Sequence, residues 1–322
     1  MATDRRSFLL NATVLATALS LPGKGFSSLF QNKQLAKSAS FKKTSSISVF
    51  SKNLQWLSIT EMAKAVAEMG FDGIDITVRP NGHVLPENVT EDLPKAVEII
   101  RKNGLEVYMI TTAIASAEEK FTEPILKTAG SLGIPYYRMG WLDYNKKISR
   151  EDNLAAFKNT LADLAKLGEH YNVKGAYQNH AGENFGSAVI DLYLALKSVH
   201  SKWMGCQYDI RHATVEGANS WPIGFDFIKD HINTINLKDF TWTKTGNKSK
   251  EENVPLGTGA VDFEKYFNHL KQIPFKGPVC LHFEYPLGGA EDGAKKITIP
   301  ANEVFTAMRR DLELARKWLP ST

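Results

Sequence analysis

The sequence predicts a single closed (β/α)₈ barrel over residues 47–322, an α/β fold preceded by an export signal over residues 1–30 and a linker over residues 31–46. Three observations predict it. Strand-like runs alternate with helical periodicities eight times after residue 46, and such alternation demands a parallel sheet. Eight units in this length suit a closed barrel, and no composition break marks a second domain. The turn after the first strand, Ser51-Lys52-Asn53-Leu54, lacks the glycines that an open, doubly wound sheet places there to bind a dinucleotide, so no nucleotide cofactor is expected.

The elements follow in order. Residues 47–50 are a short strand, and a helix over 59–69 stops at Gly70. Residues 73–78 are the second strand. A loop with Pro80, Gly82 and Pro86 leads to a helix over 91–102, closed by Asn103-Gly104. Strand three covers 107–114, with a helix over 125–132 ending at Gly133. Strand four covers 136–141. Leu154, Phe157, Leu161, Leu164 and Leu167 form one face of a helix over 150–171. Strand five is 175–180 with its helix over 188–199, strand six is 204–209, and a short helix includes 225–231. Strand seven is 234–240, followed by a polar loop and a helix over 263–270. Strand eight is 278–284, and the last helix runs over 302–318.

Composition excludes several classes. The chain is 43% hydrophobic and 23% charged with a net charge of +4, and no basic run interleaves with aromatics, so no nucleic-acid partner is expected. Cys206 and Cys280, the only two cysteines, lie in apolar runs and suit buried small hydrophobes rather than a disulfide scaffold. Near the N-terminus, Arg5-Arg6 precede Phe8-Leu9-Leu10 and an uncharged stretch reaching Pro22. This is the layout of a twin-arginine export signal and points to the periplasm, with a disordered cytosolic tail or an uncleaved anchor as alternatives. The apolar part is too short and too rich in Thr, Ala and Ser for a membrane span.

Ligands bind at the carboxyl ends of barrel strands. Gathered there are Asp75 and Arg79, Arg138 with Trp141 nearby, Gln178 and His180, Asp209 and His212, Asn236 and Lys238, and His282 and Glu284. Residues two apart on a strand face the same way, so Gln178 with His180, Asn236 with Lys238, and His282 with Glu284 can all point inward. So many polar groups in apolar strands are costly unless paired or used. Tyr177, Trp141, Trp221 and Trp242 lie near strand ends, where an aromatic face suits a sugar ring or simply packs a rim. Gly257-Thr258-Gly259 reads as a turn.

The motifs Tyr177-Gln178-Asn179-His180, Tyr208-Asp209-Ile210-Arg211-His212, Asn236-Leu237-Lys238-Asp239-Phe240, Pro255-Leu256-Gly257-Thr258-Gly259 and His282-Phe283-Glu284-Tyr285 resemble the xylose isomerase-like, AP-endonuclease-2-like TIM-barrel superfamily of sugar isomerases and epimerases. The resemblance covers the chain from residue 47 to its end. It implies a divalent metal (Mn, Mg or Zn) at the mouth, held by Glu, Asp, His and Glu on strands five to eight. It also implies that the two Glu move a proton at a sugar carbon and that a His three residues after the Asp binds substrate. Carried over residue by residue, Asp209, His212 and Glu284 match, while Gln178 and Asn236 replace the strand-five Glu and the strand-seven His. Asp209, Glu284 and Gln178 are then the expected ligands, since amide carbonyls can serve a hard cation. An amide cannot be a base. Glu284, Lys238 and His180 are therefore the catalytic candidates, and His212, Arg138, Asn236, Trp141 and His282 the substrate contacts. Lys238 is either a base or Schiff-base former, a fixed cation beside an enediolate, or the partner of Asp209 or Glu284. Glu183 supplies the missing carboxylate only if its loop folds back.

The expected activity is proton abstraction next to a carbonyl on a free or glycosidic sugar: isomerisation, epimerisation, or elimination from an oxidised 3-keto sugar. The alternative is a non-catalytic sugar-binding barrel without its metal. Hydrolysis of damaged DNA on this fold needs a richer cluster of His and Glu than the chain has.

Overall fold

The computed structural model describes residues 46–319; the expected export signal and all but the last residue of the expected linker lie outside the described residues. Seven strands, β1 (Ile47–Phe50), β2 (Gly73–Val78), β3 (Glu106–Thr112), β4 (Tyr136–Arg138), β5 (Lys174–Gln178), β6 (Met204–Asp209) and β7 (Ile232–Leu237), join an eighth at Val279–Leu281. That last strand is numbered β10, because a hairpin of β8 (Asp239–Thr245) and β9 (Lys248–Val254) precedes it. The barrel closes in the order β1-β10-β7-β6-β5-β4-β3-β2, and every neighbouring pair is parallel.

The helices are α1 (Ile59–Met69), α2 (Val89–Lys102), α3 (Thr122–Ser131), α4 (Arg150–Tyr171), α5 (Val189–Val199), α6 (Ile210–Gly217), α7 (Trp221–Ile228), α8 (Phe263–Leu270) and α9 (Ala301–Trp318). Sequence patterning explains their ends. Ser58 and Glu61 form a reciprocal capping box at the start of α1, and Gly70 closes that helix at φ 89°, a left-handed conformation that glycine adopts without strain. Ser149 accepts a bond from the Asp152 amide and starts α4. Phe157, Leu161 and Leu164 of α4 are buried, so truncating one of them to Ala costs about 2–5 kcal/mol. No helix among the described residues is long and apolar enough to cross a membrane.

Two segments differ from expectation. The polar stretch after β7 is an antiparallel hairpin with Thr245 opposite Lys248 across a two-residue Gly246-Asn247 turn. Gly246 has φ 62°, and a Gly-Asn turn has the twist that hairpin strands need. The stretch after β6, where the sequence periodicity assigns no element, is a helix: α6 begins at once, because the Asp209 carboxylate accepts a bond from the His212 amide and caps it.

The barrel has two faces of opposite chemistry. Outward-pointing Tyr177 and Tyr208 pack under the helices, against Phe185 and against Phe225 and Tyr266. Inward-pointing residues are largely polar, and the register sets Asp209 opposite Asn236 and Cys280 opposite Asn236. The charged candidates therefore share one lumen.

Candidate active site

Asp209 is the centre of the site. It ends β6, is fully buried, and its backbone is clamped by Asn179: the Asn179 amide donates to the Asp209 carbonyl at 3.0 Å, and the Asp209 N–H donates back at 2.8 Å. Sequence reading passed over Asn179. Its signal was a polar side chain on the wall-facing side of a strand end, beside inward-facing Gln178, where only another strand's backbone is in reach.

The Lys238 ammonium stands between the two carboxylates, 3.3 Å from Asp209 Oδ2 and 2.9 Å from Glu284 Oε1. Burial pushes Asp209 upward, but Lys238, and after it His212 and His282, outweigh that and hold the carboxyl down at about 2. Burial likewise opposes the charge of Glu284, and Lys238 with His282 keeps it well below the usual carboxylate range. Glu284 is the more open of the pair, its side chain 23% exposed, so it faces the mouth.

Gln178 bridges this pair to Arg138. It accepts from Arg138 Nη1 at 2.8 Å and donates to Asp209 Oδ2 at 2.8 Å. A guanidinium only donates and a carboxylate only accepts, so the two partners fix which end of the amide is which. The Arg138 guanidinium also lies over the Trp141 ring, 4.6 Å from its centroid. Trp141 is 37% exposed and presents its free surface at the rim.

Two of the three histidines here have tautomers set by their neighbours. His180 Nδ1 lies 2.8 Å from the Ala181 carbonyl and so donates to it, leaving the lone pair on Nε2. Burial and then Lys238 lower its pKa, which keeps the ring neutral. His212 Nδ1 lies 3.1 Å from the Arg211 guanidinium and so accepts, which puts the proton on Nε2, 3.8 Å from Asp209 Oδ2. The rings of His180 and His212 lie 3.8 Å apart, and Trp141 meets His180 edge-on at 4.8 Å. His282 stacks on Phe50 with Nδ1 3.6 Å from Glu284, and burial lowers its pKa to about 4.

Asn236 is fully buried with neither side-chain atom bonded, an unpartnered amide in the lumen. Thus Arg138, Gln178, His180, Asp209, His212, Asn236, Lys238, His282 and Glu284 converge, with Trp141 at the rim. Other candidates do not. Glu183 does not fold back: its side chain is 92% exposed and pairs with Lys146. The Tyr177 hydroxyl bridges the Leu142 amide and the Phe185 carbonyl, Trp221 packs in the core, and Trp242 lies exposed on β8. Gly259 serves as a close approach, since a Cβ there would lie 2.2 Å from the Phe240 carbonyl oxygen.

The arrangement at Asp209 does not fit a divalent cation. The position between the two carboxylates belongs to an ammonium, and the Gln178 oxygen that a hard cation would want is turned to Arg138. Deeper in the lumen, Asp75, Cys280 and His282 offer ligand atoms that all lie within 4.8 Å of one another. There the Cys280 thiol donates to Asp75 at 3.6 Å, and burial raises the thiol far above its usual range, opposing the thiolate a metal needs.

Comparison with known proteins agrees with this barrel. No curated protein sequence matches the chain. Among solved structures, the IOLI protein with a binding zinc atom superposes with a TM-score of 0.67 at 17% identity, covering 85% of this chain and 99% of that one. D-psicose 3-epimerase with D-tagatose from Clostridium cellulolyticum H10 gives 0.65 at 14% identity, covering 84% and 98%. 3-Keto-D-glucoside 4-epimerase YcjR from E. coli gives 0.62 at 14% identity, covering 85% and 99%. At these identities the likeness establishes the fold. A family model described as xylose isomerase-like TIM barrel matches residues 63–299, most of the chain, and the protein belongs to that family.

Proposed function

We propose that this protein is a sugar-active enzyme that removes a proton from the carbon next to a carbonyl, acting as an isomerase or epimerase, or as a lyase on oxidised 3-keto sugars or glycosides. The observation that carries the reading is a fixed cation, Lys238, flanked at the mouth by an anionic carboxylate and a neutral imidazole. Sugar epimerases among the structural neighbours support the substrate class.

The geometry supports a part for each residue. The sugar stacks on the open face of Trp141 and its hydroxyls bond to Arg138, Asn236 and the His212 Nε2–H. Glu284, ionised at neutral pH, takes the proton. The electron pair of the broken C–H bond moves onto the carbonyl oxygen, where the Lys238 ammonium meets the growing negative charge. β5 and β10 are three places apart around the eight-strand barrel, so His180 approaches the sugar from a different direction than Glu284. Neutral, with its lone pair on Nε2, it takes the proton of the neighbouring hydroxyl and returns it to the other oxygen in isomerisation, while the protonated Glu284 gives its proton to the neighbouring carbon, or to the departing oxygen in elimination. In epimerisation, water protonates the carbon from the face opposite Glu284, which then releases its proton to solvent. Each outcome returns Glu284 to its carboxylate and His180 to the neutral ring.

The test is solvent exchange. Purified protein is incubated in heavy water with ketoses and 3-keto-glycosides, and deuterium at the carbon next to the carbonyl is followed by NMR. Replacement of Glu284 by Gln or His180 by Ala should slow the exchange about 10²–10⁴-fold. A purified protein that exchanges no such proton in any of these sugars sinks the enzyme reading and leaves a sugar-binding barrel. The same proposal puts the enzyme in the periplasm, where free and glycosidic sugars are its substrates. Changing Arg5 and Arg6 to Lys should then retain the chain in the cytoplasm, as cell fractionation would report.

A further inference from the structure

We infer that the Lys238 ammonium is a built-in replacement for the divalent cation of this barrel mouth, so that the site at Asp209 and Glu284 neither binds nor needs a metal. The inference deepens the proton-abstraction reading and rests on it for the catalytic half of the claim.

Position is the first argument. One Nζ atom sits within 2.9–3.3 Å of carboxylates from two different strands, β6 and the end of β10, and Lys238 itself is almost wholly buried. A cation placed between two anions in a largely buried site is the electrostatic part that a metal plays. A second cation there would meet the ammonium at close range.

Donor chemistry is the second. The ligand set implied by the resemblance has three carboxylates and an imidazole around a dication. Here two carboxylates, Asp209 and Glu284, surround one ammonium, and the other two ligand positions are the amides Gln178 and Asn236. The exchange of a carboxylate for Gln178 removes the anion that the weaker cation could not offset. The amide also makes a bond that a carboxylate cannot. A carboxylate at residue 178 would set two anions face to face at the 2.8 Å separation where Gln178 now donates to Asp209. The two departures, the amides at 178 and 236, thus remove a carboxylate and an imidazole, the donors a dication takes at this mouth, and leave Lys238 as the cation between Asp209 and Glu284.

The experiment uses the full chain, purified without chelator. Its metal content is measured by plasma mass spectrometry, Mn²⁺ binding is titrated by electron paramagnetic resonance, and deuterium exchange is run with and without EDTA. The inference expects far less than one equivalent of metal, no Mn²⁺ site at sub-millimolar concentration, and exchange unchanged by EDTA. Lys238→Gln, and the charge-restoring pair Gln178→Glu with Lys238→Gln, should create a Mn²⁺ site at least about tenfold tighter than anything in the wild type, with a Mn²⁺-dependent rise in Tm showing that folded protein binds it. Stoichiometric metal in the wild type, or exchange lost to EDTA and restored by Mn²⁺, overturns the inference. So does a folded double variant that binds Mn²⁺ no better than the wild type. If no sugar exchanges at all, the proposed reaction fails, while the metal content and the Mn²⁺ titration still decide this claim.

Discussion

Asp209 and Asp75 are both fully buried carboxylates in one barrel lumen, and they sit at opposite ends of the titration scale. Asp209 is held at about 2, whereas Asp75 is pushed up to about 7. Burial opposes the charge of both. The difference lies in what stands beside them. Asp209 has the Lys238 ammonium at 3.3 Å and the Gln178 amide at 2.8 Å. Asp75 has only neutral donors in contact, the Thr111 hydroxyl at 2.9 Å from both oxygens and the Cys280 thiol at 3.6 Å, with Arg138 and Arg79 acting from further away. A hydroxyl and a thiol do not offset the loss of water; an ammonium in contact does. Two identical side chains thus become a permanent anion at the mouth and a group poised near neutrality beneath it.

The largest break in this contrast comes from removing the cation. Lys238→Met leaves Asp209 and Glu284 facing each other without a counter-charge and should cost about 3–5 kcal/mol at pH 7 in urea unfolding, together with loss of exchange activity. The pH dependence sharpens it. In the wild type, Asp209 contributes stability that is complete above its unfolded pKa of about 4 and is lost as pH falls through about 2. In the variant the sign should reverse, with stability rising as acid protonates the uncompensated carboxylate. If the variant keeps the wild-type acid profile, the ammonium is not what holds Asp209 down.

Next in size is the other carboxylate. Asp75 keeps its proton in the folded state up to about pH 7, while the unfolded chain releases it near pH 4. Folding stability therefore falls as pH rises across that window and stays low above it. The rise from about 4 to about 7 corresponds to roughly 4 kcal/mol at about 1.4 kcal/mol per pKa unit. Asp75→Asn mimics the protonated form and cannot ionise, so its stability relative to the wild type should climb between pH 4 and pH 8. A difference curve that stays flat across that range would mean Asp75 is solvated or paired after all.

Much of this was legible in the sequence. The eight-strand alternation announced the barrel, and β2, β6, α1 and α4 begin and end where their periodicity and caps place them, because one apolar face and a capping residue decide each locally. Asp209, His212, Lys238 and Glu284 were legible as one site because side chains two apart at strand ends share a lumen. The partners of those groups were not. That Lys238 joins β6 to β10 depends on barrel closure, with Asp209 and Glu284 separated by 75 positions in sequence (284 − 209). Asn179 as a clamp and Arg211 as the group that fixes the His212 tautomer are likewise properties of register and packing. The β8–β9 hairpin was missed for a different reason. Beyond the buried Asp239 and Phe240 its strands are mostly polar and open to solvent, so no burial pattern marked them, although Gly246-Asn247 after the alternating Thr241, Thr243 and Thr245 carried the turn signal.

The smallest effect tests the weaker side of the comparison most sharply. Thr111→Val keeps the shape of the side chain and deletes the hydroxyl shared by both Asp75 oxygens. If Asp75 is protonated below about pH 7, the lost bond is a neutral one there and costs about 1 kcal/mol or less; above it, the bond is to a carboxylate and costs about 1.5–3 kcal/mol. The penalty should therefore grow with pH and the titration of Asp75 should move higher still, because one of the influences holding it down is gone. The equivalent deletion at the mouth, His212→Ala, should show no such step between pH 5 and 8, since Asp209 is ionised throughout that range. Parallel denaturation curves at pH 5 and pH 8 distinguish the two cases. A Thr111 penalty independent of pH would place Asp75 with Asp209 and remove the contrast.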